Sequence, residues 1–238
     1  MLHVPETGST NADLRQLAEA GGVDGHWDGL WLRADRQRAG RGRQGREWSS
    51  PPGNYYGSTL VRLRPGDPMA ATLALVAAVA IEDAVRACLP DIGTRLVLKW
   101  PNDLLIDGAK LSGILLERTG DAVVIGMGIN LASAPDLSDR ATTALGDHGV
   151  TVSPQTMQAL LADAMTRWLA IWREQGLSAI ITRWEARAHP RGTALTARLP
   201  DGQALTGAFD GLASDGALRL GLADGSCHVI HAGDIFLI

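Results

Sequence analysis

The sequence predicts an α+β chain in two parts, a mixed helix-and-strand unit over residues 1–188 and a small all-β barrel over residues 189–238. Three observations carry this. Up to His189-Pro190 the apolar residues fall in helical or extended runs, with helical spacing at Leu160, Leu161, Met165, Trp168, Leu169 and Trp172. Beyond it the chain breaks into short alternating runs, 193–199, 204–209, 218–222 and 227–230, separated by Asp201-Gly202, Asp215-Gly216 and Asp224-Gly225. With 238 residues, 45% of them hydrophobic, the chain can bury one full core plus a small appended unit. A barrel this small is near the lower limit for folding alone, so it should pack on the larger part.

The elements follow in order. Glu6-Thr7-Gly8-Ser9-Thr10-Asn11-Ala12-Asp13 places hydroxyl residues ahead of apolar Leu14, Leu17 and Ala18, with Asp13 positioned to complete a capping box; a short helix ends at Gly21-Gly22. An apolar segment over 27–32 contains a strand at Leu30-Trp31-Leu32, and a second strand over 55–63 has Gly57 and Ser58 for close backbone approach. Pro68 opens an alanine-rich helix that Pro90 closes. Two apolar strands flank Asp107-Gly108, a strong hairpin signal. A further strand over 122–125 leads into Gly126-Met127-Gly128-Ile129-Asn130, a lone Gly-x-Gly with no helix after it and so no dinucleotide site. Residues 132–149 are polar and read as a flap, followed by helices over 153–174 and 177–187.

Composition narrows the function classes. The apolar run 69–81 is too short and too alanine-rich for a bilayer span, and no basic-then-apolar leader opens the chain, so a soluble cytoplasmic protein is expected. Cys88 and Cys227 have neither disulfide-framework nor metal-ligand spacing.

Two stretches carry chemistry. Arg33-Ala34-Asp35-Arg36-Gln37-Arg38-Ala39-Gly40-Arg41-Gly42-Arg43-Gln44-Gly45-Arg46 packs six arginines and three glycines into a chain of net charge −4. Glycine amides form anion nests and guanidinium groups fork onto carboxylate or phosphate, so the stretch predicts an anionic ligand. A Gly/Arg run can instead be a disordered basic arm that coats nucleic acid. Here apolar residues precede it and Glu47-Trp48-Ser49-Ser50-Pro51-Pro52-Gly53-Asn54-Tyr55-Tyr56 follows, which places it inside an ordered unit. The second stretch is Lys99-Trp100-Pro101-Asn102-Asp103. Lys99 ends an apolar run and either turns its ammonium into a pocket or guards a sheet edge against aggregation. Ser9 and Thr10 are likewise either plain caps or polar groups for a ligand.

Ser9-Thr10-Asn11, Gly40-Arg41-Gly42-Arg43-Gln44-Gly45 with Arg46, Lys99-Trp100-Pro101-Asn102-Asp103-Leu104, Lys110-Leu111-Ser112-Gly113-Ile114-Leu115-Leu116-Glu117 and Gly126-Met127-Gly128-Ile129-Asn130 together resemble, in order, the motifs of biotin–protein ligases. The resemblance covers nearly the whole chain. It implies a catalytic domain similar to class II aminoacyl-tRNA synthetases, then an SH3-like barrel, with no room for a DNA-binding domain ahead of residue 9. The implied activity forms biotinyl-5′-AMP from biotin and ATP, with Mg²⁺ accompanying ATP, and transfers biotin to a lysine of a biotin carboxyl carrier protein. No resident metal, DNA or membrane is implied, and a homodimer is compatible with the family.

The resemblance also implies roles. Lys99 contacts the biotin carboxylate and the α-phosphate and is, with Arg43, the catalytic candidate; Ser9, Thr10, Asn11, Gln37, Arg41 and Gly113 bind biotin. Arg43, Arg46, Lys110 and Asn130 bind the nucleotide, Gly40, Gly42 and Gly45 shape the adenylate loop, Gly128 allows close packing, and Asp103 orients the carrier lysine. Two departures stand out. The chain ends Asp234-Ile235-Phe236-Leu237-Ile238 where relatives often carry an arginine toward ATP, and Thr142-Thr143-Ala144-Leu145 offers no tryptophan for adenine. Two other functions compete: a lipoate–protein ligase with the same adenylation logic, and a nucleic-acid binding protein using the arginine stretch and the barrel, whose binding would be steeply salt-dependent.

Overall fold

The structure, a computed structural model, describes residues 1–21 and 28–238. Gly22, expected at the end of the first helix, and Trp27, expected to head the following apolar segment, lie outside the described residues.

Seven strands form the larger sheet: β1 (Leu2–Thr7), β2 (Trp31–Gln37), β3 (Tyr55–Arg62), β4 (Leu96–Lys99), β5 (Asp103–Ile106), β6 (Ala109–Thr119) and β7 (Ala122–Ile129). Their order is β1-β2-β3-β7-β6-β5-β4, with β1 and β2 parallel and every other neighbouring pair antiparallel. Strand alternation divides the side chains between two layers. Leu32, Leu60 and Val124 pack with Leu14 of α1 (Thr10–Glu19). Their neighbours Trp31, Val61, Val123 and Ile125 join the main core with α2 (Leu73–Cys88), α3 (Pro154–Glu174) and α4 (Leu177–Glu185).

The last five strands, β8 (Ala194–Arg198), β9 (Ala204–Leu212), β10 (Leu218–Gly221), β11 (Cys227–Ile230) and β12 (Asp234–Leu237), make a wholly antiparallel sheet ordered β11-β10-β9-β8-β12. The three Asp-Gly turns fall where the sequence puts them, each glycine at φ between 84° and 87°. This sheet shares the main core rather than forming its own. The Trp100 indole N–H donates to the Gly216 carbonyl (3.1 Å), and Glu185 accepts the Leu212 amide (2.6 Å).

Several local expectations are corrected. β1 and β12 are strands that the sequence did not reveal, because Leu2–Thr7 contains Pro5 and neither segment alternates cleanly. Pairing with β1 extends β2 through Gln37, so Arg33 and Arg36 are strand residues rather than loop residues. The alanine-rich helix starts at Leu73; residues 70–72 form a tighter turn, in which the Thr72 hydroxyl donates to the Met69 carbonyl (2.6 Å). The capping box does not form. Ser9 makes no side-chain cap, and the Asp13 carboxylate accepts from the Thr7 hydroxyl instead. The hairpin holds as expected, with Asp107 and Gly108 at φ 50° and 79°, the left-handed pair its turn requires.

β4 is the sheet edge and would be exposed without cover. Arg187, just past α4, accepts the Leu98 amide on its carbonyl (2.8 Å), and Ala188 pairs with Leu98. Beneath, the fully buried Glu82 of α2 takes Arg86 at 2.6 Å, Arg183 at 2.7 Å and Arg187 at 3.6 Å. Removing one member of such a buried cluster strands the remaining charges. We expect Glu82→Ala to lower the unfolding free energy by about 3–5 kcal/mol in denaturant titration; a loss within the error of that measurement would contradict a structural role for the cluster.

Candidate active site

One cavity of about 530 Å³ gathers residues from α1, the segment after β2, the β4–β5 hairpin, β6, β7, the 132–149 segment and β12. Its floor is set by glycines. On the sheet face that carries α1, β6 has Gly113 and β7 has Gly126 and Gly128, with Gly113 paired to Gly128. A Cβ at Gly113 would lie 3.0 Å from the Trp48 ring and one at Gly128 2.5 Å from it, while a Cβ at Gly126 would collide with the Asn11 amide. The indole therefore lies across two glycines, a position no side chain there would permit.

On the side of α1 the side chains that line the cavity, Ser9, Thr10, Asn11 and Gln37, are uncharged. The Thr10 amide and hydroxyl both donate to Gln37 Oε1 (2.9 and 3.1 Å), and the Thr10 hydroxyl lies 2.7 Å from that of Ser58. Ser58 donates to Asn11 Oδ1 (2.6 Å), and the Asn11 Nδ2 group donates to Glu117 (2.9 Å). This chain of bonds fixes which atoms of α1 face inward, and Ser9, free of a capping duty, lines the wall. The Trp48 indole nitrogen is buried without a partner among the described residues. A buried donor left unpaired is costly, so this wall suits a ligand with an apolar ring and hydrogen-bonding edges.

The other end is charged. The hairpin sets Lys99 opposite Asp103 across the cis Trp100–Pro101 turn. Lys110 Nζ donates to Asp103 Oδ1 at 2.6 Å, Lys99 Nζ lies 3.8 Å from Oδ2, and Lys110 also stands over the Trp48 ring at 5.6 Å. Burial pushes the Lys99 ammonium below the ordinary lysine value; Asp103 opposes that shift, and Lys110 and Arg140 add to it. Arg43 donates to the Asn102 side chain and to the Gly233 carbonyl, both at 3.4 Å, and burial lowers its pKa too. Arg46 pairs with Asp234, and Arg41 bridges to Glu47 through the backbone. Arg140 reaches in from the 132–149 segment, which is fastened at both ends. Asn54 Oδ1 takes the amides of Leu131, Ala132 and Ser133, and Lys110 exchanges backbone hydrogen bonds with Ala141 and Thr143.

Of the sequence candidates, Ser9, Thr10, Asn11, Gln37, Arg41, Gly42, Arg43, Arg46, Lys99, Asp103, Lys110, Gly113, Gly128 and Asn130 all line this cavity. Gly40 and Gly45 do not. Gly40 leaves room for the Trp48 carbonyl, 2.5 Å from where its Cβ would be, and Gly45 turns the loop at φ 73°. Asn130 acts through its amide, which donates to the Thr143 carbonyl (3.1 Å) and ties β7 to the flap. Only half the arginine run faces the cavity. Arg33 is buried in β2 against Asp35 (2.6 Å), and Arg36 and Arg38 lie near Glu6 on the surface. The sequence reading missed Trp48, Arg140 and the barrel's contribution through Asp234, Ile235 and Phe236. A flat ring facing paired glycines was readable in principle for Trp48; nothing local marks Arg140.

Among the described residues no group of three or more His, Cys, Asp or Glu side chains is placed to hold a metal, and no helix is long and apolar enough to cross a membrane. A model described as the biotin/lipoate A/B protein ligase family matches residues 26–130, and one for the biotin protein ligase C-terminal domain matches 193–238. The chain is 41% identical to a biotin–[acetyl-CoA-carboxylase] ligase of Paracoccus denitrificans over 97% of each chain. It is 36% identical to the Mycobacterium tuberculosis protein of the same name over 98% of this chain and 86% of that one. The biotin protein ligase of Aquifex aeolicus solved with biotin and ATP superposes with a TM-score of 0.85 over 100% of this chain and 98% of that one, at 25% identity. On this sequence likeness over its whole length, the chain belongs to the biotin protein ligase family.

Proposed function

We propose that this chain is an ATP-dependent biotin–protein ligase. The observation that carries the reading is a single cavity with a neutral, indole-walled end and a cationic end, joined at the Lys99–Asp103–Lys110 cluster. Biotin fits the first, its ureido head toward Thr10 and Gln37 and its ring over Trp48. The triphosphate fits the second.

In the first step a biotin carboxylate oxygen attacks the α-phosphorus of ATP. The bond from that phosphorus to the bridging oxygen breaks, and its electron pair leaves on pyrophosphate; Mg²⁺ enters with ATP as part of the substrate. Two anions must meet, so the chain's task is to supply fixed positive charge where they do. Lys99 contacts the carboxylate and the α-phosphate, Lys110 and Arg46 hold phosphates, and Arg41 and Arg43 close over the adenylate with the Gly42 amide. In the second step a carrier lysine attacks the acyl carbon, the bond to AMP breaks, and the amine gives up a proton. Asp103 compensates both ammonium groups in the free protein. Once phosphate engages them, its carboxylate can orient the carrier lysine.

Two features count against the nucleic-acid alternative. Arg33 is buried against Asp35 and Arg36 and Arg38 lie beside Glu6, while Arg41, Arg43 and Arg46 face a cavity rather than a continuous surface. We further read residues 1–188 as a class II synthetase-like catalytic domain and 189–238 as an SH3-like barrel, supported by the mixed and antiparallel sheets. The carrier is a biotin carboxyl carrier protein, and the setting is cytoplasmic.

Pyrophosphate exchange into ATP tests the reading without the carrier. Exchange is expected with biotin alone; exchange with lipoate alone, or with neither acid, would overturn it. Lys99→Ala removes charge but little core volume, so exchange should fall at least about 100-fold with the melting temperature nearly unchanged; near-normal exchange would remove Lys99 from the mechanism. Because the lysine must stay protonated and burial lowers its pKa, exchange should decline as pH rises, starting below the ordinary lysine value of about 10.4. Lys99→Arg should move that alkaline limb upward, and an unmoved limb would assign it to another group. Gly128→Ala should raise the biotin KM by driving Trp48 off its floor; an unchanged KM would contradict the packing.

A further inference from the structure

The flap between β7 and α3 contributes one strong cation that the sequence motifs do not account for. Arg140 lines the cavity, with its side chain 26% exposed. Its ion-pair partner is Asp139, the preceding residue, at 2.6 Å; that carboxylate is itself 59% exposed. The same carboxylate also accepts from Arg140 Nε at 3.1 Å, and because Asp139 is largely exposed the pair adds little net stability. Among the other cavity cations, Lys110 and Lys99 flank the largely buried Asp103, Arg46 pairs with Asp234, and Arg43 donates to the Asn102 side chain and the Gly233 carbonyl; Arg41 lines the cavity as well.

The placement of Arg140 is fixed although its head is free to trade partners. The next residue, Ala141, accepts the Lys110 amide on its carbonyl (2.9 Å), and Thr143 donates its amide to the Lys110 carbonyl (3.0 Å). Arg140 is therefore registered to Lys110 by backbone pairing. Its guanidinium shares the cavity with Lys99, Asp103 and Asp234, on three other elements, and both carboxylates favour its charged form. Asp136 and Leu137 of the same segment also line the cavity and are exposed.

Resting on the adenylation reading above, we infer that Arg140 binds the β- and γ-phosphates of ATP and stabilises the pyrophosphate as it leaves. The charge that develops when the α-phosphorus–oxygen bond breaks lies on the bridging oxygen, and a forked guanidinium bridges two phosphate oxygens better than a lysine does. Asp139 holds the head in place until the nucleotide displaces it. Arg140 has no part in the second step, because pyrophosphate has then gone.

The two half-reactions separate this role from a general structural one. Arg140→Ala should lower kcat/KM for ATP in biotin-dependent pyrophosphate exchange by about 10- to 100-fold, with the biotin KM unchanged. Transfer from preformed biotinyl-5′-AMP to the carrier should stay within about twofold of the unmodified protein, and Arg140→Lys should recover part of the exchange. Equal losses in both half-reactions would overturn the inference by making Arg140 a structural support, and unchanged exchange would overturn it outright. If the unmodified protein shows no biotin-dependent exchange, the adenylation reading fails and this inference with it. That result is distinct from one in which only the variant behaves normally.

Discussion

The site depends on one carboxylate holding two ammonium groups. Lys99 and Lys110, both largely buried, would repel each other, and burying either alone carries a substantial desolvation penalty. Asp103 lies between them, 2.6 Å from one and 3.8 Å from the other, and so lets the free protein keep two cations ready beside the indole of Trp48. The hairpin geometry makes this possible. Cross-strand pairing sets Lys99 opposite Asp103, and Asp103 pairs in turn with Gly113, whose missing side chain leaves room for Lys110.

Much of the surrounding architecture fixes that hairpin. β4 is an edge strand, so its register relies on what covers it: Arg187 and Ala188 bond to Leu98, and the Glu82 cluster secures that segment to α2. Trp100 reaches the turn at Gly216, which couples the hairpin to the C-terminal sheet. From the other side, β12 supplies Asp234 to Arg46 and the Gly233 carbonyl to Arg43. The C-terminal sheet thus helps to shape the arginine segment. The flap adds Arg140, and the cationic end is assembled from four separate stretches of chain.

The sequence disclosed the parts that are locally encoded. Asp107-Gly108 marked its hairpin because a two-residue turn of this type takes a left-handed pair, and the Asp-Gly steps after Pro190 marked the second sheet because each glycine supplies the positive φ its turn needs. Lys99 was recognisable as a lysine ending an apolar run, although the residues alone left open whether it guarded an edge or faced a pocket; it faces the cavity, and the β4 edge is covered by Arg187 and Ala188 instead. What remained hidden depends on distant partners. β1 is a strand because β2 lies beside it, Arg33 is buried for the same reason, and Arg140 matters only because the flap pairs with β6. The polar network from Gln37 through Thr10 and Ser58 to Asn11 likewise spans three elements, so no spacing within one of them announces it.

The most direct test is a structure of the protein bound to a non-hydrolysable acyl-sulfamate analogue of biotinyl-5′-AMP. The account predicts the linking group within hydrogen-bonding distance of Lys99 Nζ, the bicyclic ring against Trp48, and the ureido edge toward Thr10 and Gln37. A linker lying away from Lys99, with the ring elsewhere than against Trp48, would contradict it.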